Sequence, residues 1–167
     1  NSNISGKHMS AGMVVFQDAK PKKSDYRKFK VQSVNTPDDY ASMKEVLTRR
    51  FSRDEKNGMP LPDILMVDGG RGQLGIAVSV LDELGLSNRF RLIGIAKKNP
   101  AKKETRDKIY VPGRANPLNI PNESLLFLQR IRDEAHRFAV SFHRNRRKKE
   151  TLRSELDDIS GVGKKRK

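Results

Sequence analysis

Cysteine is absent from the 167 residues. That excludes disulfides and every metal site built on thiolate ligands. No apolar run approaches the roughly eighteen residues that a membrane helix needs. The first ten residues are small and polar and hold no apolar stretch of a secretory leader. The reading is therefore of a protein with no membrane partner. A starting methionine is missing as well, so the sequence reads as cut from something longer. Negative charge is scarce: 20 Asp and Glu stand against 35 Lys and Arg, a formal net charge of +15. Such an excess points to a polyanion, most often nucleic acid, ahead of a basic surface kept only for solubility. Apolar residues make up 35 %, enough for the core of one domain with the start of another.

The stretch from Leu61 to Leu74 organises what is there. Ile64, Leu65, Met66 and Val67 form a continuous apolar run, which reads as a strand buried on both faces. The run ends in Asp68, Gly69 and Gly70. Leu74, Ala77, Val78, Leu81 and Leu84 then recur at helical spacing, closing at Gly85. Strand, tight turn and helix put Asp68 at the carboxyl end of a central strand, where open α/β sheets place their ligands. The same spacing equally suits an Asp68 that starts the turn or caps the helix.

The other elements follow in order. Met13 to Phe16 and Tyr26 to Val31 predict a β-hairpin, with the basic segment Lys20-Pro21-Lys22-Lys23 as its turn. Pro37 and Asp38 open a helix whose apolar stripe is Tyr40, Met43, Val46 and Leu47. Residues 52–60 are a charged loop, and Arg91 to Ala96 a second buried strand. Residues 97–108 carry Lys97, Lys98, Lys102, Lys103, Arg106 and Lys108 against only Glu104 and Asp107, which predicts a mobile basic loop. A short strand follows at Ile109 to Val111. Asn122 then caps a helix to about Lys149, with Leu128, Ile131, Ala135, Phe138 and Phe142 on one face. Its end carries Arg144, Arg146, Arg147, Lys148 and Lys149, more cations than the helix dipole requires. Gly161-Val162-Gly163 with Lys164 and Lys165 reads as the hairpin of a helix-hairpin-helix, whose backbone N–H groups can hold a phosphate.

Three groups on separate elements stand out. Asp39 is at a helix start, Asp68 ends the central strand, and His136 lies at the edge of the last helix's buried face. Cleavage of nucleic acid with Mg2+ or Mn2+ needs hard oxygen ligands converging from separate elements. A histidine beside them can bind metal or move a proton. Taken singly, Asp39 also suits a helix-start charge and His136 a plain surface histidine beside Arg132 and Asp133.

Three longer blocks carry a resemblance. Asp68-Gly69-Gly70-Arg71-Gly72-Gln73-Leu74, Arg132-Asp133-Glu134-Ala135-His136-Arg137-Phe138-Ala139 and Asp38-Asp39-Tyr40-Ala41-Ser42-Met43 resemble the UvrC family of bacterial excision-repair nuclease subunits. Ser2-Asn3, Gly6, Val14-Val15-Phe16, Tyr26-Arg27, Arg49-Arg50-Phe51 and Leu61-Pro62-Asp63 fit the same pattern. The resemblance implies an α/β fold: an RNase H-like mixed sheet flanked by helices over residues 1–150. A linker and an incomplete first helix-hairpin-helix would follow over residues 151–167. It implies a cytoplasmic bacterial DNA endonuclease of the UvrABC nucleotide excision repair system, making the incision 5′ of a lesion. The implied partners are damaged double-stranded DNA and UvrB, with UvrA acting upstream. The implied catalytic residues are Asp39, Asp68 and His136, with Asp68 and Asp39 on a divalent metal, Mg2+ or Mn2+. DNA contacts are expected from Lys97, Lys98, Lys102, Lys103, Arg144, Arg146, Arg147, Lys148, Gly161 and Gly163.

The sequence departs from the family pattern in two respects. A first catalytic Asp is expected immediately before Asn1, so a protein with these ends is expected to bind DNA and to incise it poorly. The family's amino-terminal nuclease domain and UvrB-binding segment are also not in the sequence. The runner-up is a nucleic-acid-binding module of the same fold that does not cleave. A nucleotide-binding reading of Asp68-Gly69-Gly70 ranks third, lacking a full phosphate-binding glycine fingerprint.

Overall fold

The computed structural model describes residues 10–31, 39–52 and 60–157. Among them are seven strands and three α-helices. The first described segment is a β-ribbon. Strand β1 (Ser10–Met13) pairs antiparallel with β4 (Arg27–Lys30), Ala11 opposite Phe29. Between them β2 (Phe16–Gln17) and β3 (Lys20–Pro21) make a second, tighter hairpin. The predicted hairpin is present, but its turn is not the basic segment. The reversal falls on Asp18 and Ala19, which both have positive φ, as the twist-matched two-residue turn requires. Lys20 and Pro21 are strand, and Lys23–Asp25 is a short 3-10 turn.

Helix α1 (Asp39–Phe51) follows, then β5 (Ile64–Asp68), α2 (Arg71–Glu83), β6 (Arg91–Ala96) and β7 (Lys108–Tyr110). Strands β5 and β6 are parallel, with Asp68 beside Ile95, and β7 returns antiparallel on the far side of β6. Helix α3 (Asn122–Asp157) completes the described chain. The carbonyl of Pro121 accepts the first helical hydrogen bond, from Leu125, so Asn122 is the first helical residue and not the cap. The helix also runs eight residues past the predicted end at Lys149, through the segment expected to be a linker. The predicted helix-hairpin-helix glycines, Gly161 and Gly163, lie outside the described residues.

Side chains of a strand alternate between its two faces, and here each face has its own core. Leu65, Val67, Leu92 and Tyr110 point to one face, where Leu47 and Phe51 of α1 and Leu74, Ala77, Val80 and Leu81 of α2 cover them. Met66, Ile93, Ile95 and Ile109 point to the other face, against Leu125 and Leu128 of α3. Strand β6 is the buried centre of this sheet. Strand β5 is less buried than its apolar run suggests: Ile64 is 52 % exposed, and of its five residues only Val67 is buried. An apolar run therefore marks the strand but does not by itself fix burial on both faces.

Two glycines let layers approach. A Cβ on Gly94 of β6 would stand 2.9 Å from the carbonyl oxygen of Gly69 and 3.5 Å from the Leu74 Cβ. A Cβ on Gly12 of β1 would stand 3.0 Å from the Phe138 ring, so the ribbon lies directly on α3. At Gly94 the obstructing atom belongs to backbone and cannot swing aside. Gly94→Ala is expected to destabilise the domain by about 1–3 kcal/mol. Chemical denaturation of the variant beside the unchanged protein measures this.

Candidate active site

The β5–β6 pairing puts the carboxyl ends of both strands together. The Gly69 N–H donates to the Ile95 carbonyl at 2.9 Å, so the pairing continues one residue past Asp68. Alternation along β5 gives Asp68 the face of Met66, which is the face α3 covers. Its carboxylate is exposed and makes no hydrogen bond or ion pair with the described residues. The N-cap position of α2 is Gly70, with no side-chain cap, so Asp68 does not cap this helix. A strand-end carboxylate without a structural partner is free for a ligand.

The segment after β6 stands at the same end. It is a wired turn and not an open loop. Asn99 caps the 3-10 turn Pro100–Lys102 by accepting from the Ala101 N–H, and its own N–H donates to Glu104 at 2.9 Å. Glu104 also pairs with Lys108, which holds its carboxyl below the usual glutamate range. Both acids of this segment are occupied, Glu104 by the Asn99 N–H and Lys108 within it and Asp107 by donors from the segment and from α3. Lys97, Lys98, Lys102 and Lys103 are exposed and form no ion pair among the described residues. Arg106 donates to the Ile120 carbonyl just ahead of α3.

The second acid, Asp107, is buried, at 6 % exposure. Its Oδ1 accepts from the Lys98 backbone N–H at 2.8 Å. Its Oδ2 accepts from the Gln129 amide at 2.9 Å and from the Arg132 guanidinium. Burial works against its charge, but these donors outweigh it and hold the carboxyl below the ordinary aspartate value. Arg132 also reaches Asp133 at 2.8 Å. Nothing in the sequence spacing pairs residue 107 with residue 132. The available hint was an acid placed inside a basic run.

Leu125, Gln129, Arg132 and His136 fall within about 40° of one line on α3 at 100° per residue. Leu125 is in the core under Ile95 and Ile109. Gln129 and Arg132 hold Asp107 at the carboxyl end of β6, and His136 follows one turn later, about 6 Å along the axis. His136 is exposed and has no partner among the described residues. Asp68 and His136 thus belong to the same end of the sheet and the same face. At Asp39 only the backbone is described: it starts α1, which packs on α2 and β1. Among the described residues no group of three carboxylates or histidines stands close enough to hold a metal ion. Arg144, Arg146, Arg147 and Lys148 lie on α3, outside the residues whose side chains are described.

The ribbon grips α3 on both sides of His136, at Glu134 and at Phe138. The Tyr26 hydroxyl donates to Glu134 at 3.0 Å, and Arg137 makes a two-pronged contact with Glu134 at 2.6 and 2.7 Å. The Tyr26 and Phe138 rings meet edge to face with centroids 5.0 Å apart, and the Lys28 ammonium lies 5.0 Å from the Phe138 ring centre.

A buried central strand, a parallel neighbour ending in a free aspartate and a helix bringing a histidine to that end define a mixed α/β domain of the RNase H-like kind. Residues 1–140 match the model of the UvrC RNAse H endonuclease domain. The chain is 54 % identical to UvrABC system protein C of Desulfatibacillum aliphaticivorans over 168 residues, 99 % of this chain and 28 % of that protein. It is 54 % identical to UvrABC system protein C of Desulforapulum autotrophicum over all of this chain and 27 % of that protein. It is 48 % identical to UvrABC system protein C of Salinibacter ruber over 98 % of this chain and 25 % of that protein. The chain belongs to the UvrC family and spans about a quarter of the length of these curated relatives.

Burial, and then the hydrogen bond to Glu134, push the Tyr26 hydroxyl up from its ordinary 10.0 to about 12. A raised pKa means stability present below pH 10.0 and lost as pH rises toward about 12. Tyr26→Phe is expected to cost about 1 kcal/mol near neutral pH and to lack this alkaline loss. Denaturation curves across that window compare the two proteins.

Proposed function

We propose that this chain is a divalent-metal-dependent DNA endonuclease domain that hydrolyses a phosphodiester 5′ of a lesion within the UvrABC system. The observation that carries the reading is the Asp68 carboxylate, exposed and unpartnered among the described residues at the end of a paired strand, on the face from which α3 brings His136. A carboxylate kept for structure looks different: Asp107, on the other side of β6, has both oxygens occupied. Asp68 is thus chemically fit to hold a hard cation such as Mg2+ or Mn2+, with Asp39 as the second candidate ligand. When bound, such an ion supplies charge for phosphate oxygens and makes a water more acidic. His136 is accessible to take up or deliver a proton. The four exposed lysines at residues 97, 98, 102 and 103, unpaired among the described residues, border this end of the sheet and suit the DNA backbone, contacting phosphates and not bases. The substrate in this reading is damaged duplex DNA, delivered by UvrB after UvrA has found the damage. The membership of the chain in the UvrC family supports this choice over a binding module without cleavage.

Asp68→Asn keeps the shape of the side chain and removes its charge. In the full-length context, with the loading partner and a lesion-bearing duplex, the variant is expected to lose incision by a hundredfold or more while melting within a few degrees of the unchanged protein. Incision at the original rate would remove Asp68 from the site. Binding to duplex DNA is expected to weaken steeply with salt. Each lysine of the turn that contacts a phosphate contributes about 0.9 to the log–log slope. If replacing Lys98, Lys102 and Lys103 with Gln leaves the slope unchanged, the turn does not contact the backbone.

A further inference from the structure

Asp107 lies outside the set of candidate catalytic groups, yet it joins two of the parts that flank Asp68. Three donors from two elements converge on its carboxylate: the Lys98 N–H from the basic turn, and the Gln129 and Arg132 side chains from α3. Its side chain is 4 % exposed and that of Arg132 12 %. Water therefore competes poorly for these bonds. The contacts are also placed where position matters. Lys98 is the second residue after β6, in the turn that carries the four exposed lysines, and Arg132 precedes His136 by one helical turn. Hydrophobic contacts hold α3 lower down, at Leu125 and Leu128, and the ribbon holds it higher up, at Phe138 and Ala139. Between these the described polar anchor to the sheet end is Asp107.

We infer that Asp107 is a positioning residue: through Lys98, Gln129 and Arg132 it fixes the basic turn and the His136 segment of α3 relative to the carboxyl end of β5 and β6. The inference rests on the endonuclease reading of this site. Asp107 touches neither metal nor substrate in it. A displacement of about 1 Å in a reacting group can reduce a rate by two orders of magnitude, so loss of this junction should act on the bound complex. The lysines would stay on the surface, and long-range attraction to DNA would persist.

The test uses Asp107→Asn, Arg132→Lys, Arg132→Gln and the double variant Asp107→Asn with Arg132→Gln, each in the full-length context. Single-turnover incision of a preloaded lesion complex gives a rate constant and an amplitude. A residue that only stabilises the fold changes the amplitude, the fraction of active molecules. A positioning residue changes the rate constant. Asp107→Asn and Arg132→Gln are each expected to slow the rate constant at least tenfold, with duplex affinity changed less than about threefold. Arg132→Lys, which keeps one charged bond to Asp107, should recover the rate to within a few-fold. Arg132→Gln leaves the buried Asp107 charge without a cation, and Asp107→Asn leaves Arg132 only the exposed Asp133, so both single variants are at risk of misfolding. The double variant removes both charges together, so it should melt near the unchanged protein and still incise slowly. Amide exchange at Lys98 should accelerate at least tenfold in the double variant, a readout independent of cleavage. A folded double variant with the original rate constant overturns the inference. An Asp68→Asn control run beside it separates the two levels. If that control is inactive while the double variant is fully active, only the positioning role fails. If the control itself incises normally, the endonuclease reading of the site fails.

Discussion

The parallel pairing of β5 with β6 is the constraint on which the rest depends. Its register sets Asp68 beside Ile95 and carries the pairing through Gly69. A slip of one residue would exchange the faces of every side chain on β5. Val67 would leave the core shared with α1 and α2, and Asp68 would turn from the α3 face to the α2 face. The apolar alternation of Leu65, Met66 and Val67 therefore specifies not only the core but also where a carboxylate emerges. Gly94 makes the arrangement possible by admitting the backbone of Gly69 against β6.

Much of this was legible before any coordinates. The run Ile64 to Val67 followed by Asp68-Gly69-Gly70 marks strand, turn and helix, because apolar continuity, glycine and helical spacing all agree there. Arg91 to Ala96 was equally plain. The parts that were not legible are those set by tertiary contact. A two-residue turn at Asp18-Ala19 carries no glycine, so local chemistry pointed to the basic segment instead. The basic turn looked open because its acids looked like isolated charges. Glu104 finds Lys108 and the Asn99 N–H within the turn, and the Gln129 and Arg132 partners of Asp107 are known only once α3 is laid across the sheet. The burial of β5 was overread for a similar reason: apolarity of a run says nothing about how far a neighbour extends over it.

For the candidate site, type and place separated. Asp68 and His136 were picked out as isolated residues, each with an ordinary alternative. The fold removes one of these, since Gly70 and not Asp68 occupies the cap position of α2. It also shows why two nearby aspartates play different parts. Asp107 is inside, with both carboxylate oxygens engaged, and Asp68 is outside with none engaged among the described residues. Charge alone could not have sorted them; solvent access and donor supply do.

Helix α3 packs under Leu125 on the sheet and at Ala139 on the ribbon at Gly12, and Asp107 grips Gln129 and Arg132 between these two contacts. The two packing contacts are fourteen residues apart, about 21 Å along the axis. Such a helix is a beam supported near both contacts and tied between them, with His136 near the outer one. A tilt of about 5° about Leu125 would carry His136 sideways by about 1.4 Å, since it stands about 16 Å from that pivot. The same tilt would move Arg132 by about 0.9 Å, within the reach of a long, jointed side chain. The ribbon, remote from the sheet end in sequence, thus has a mechanical share in the site: the seating of β1 on α3 acts beside the Asp107 grip on the lateral placement of the imidazole.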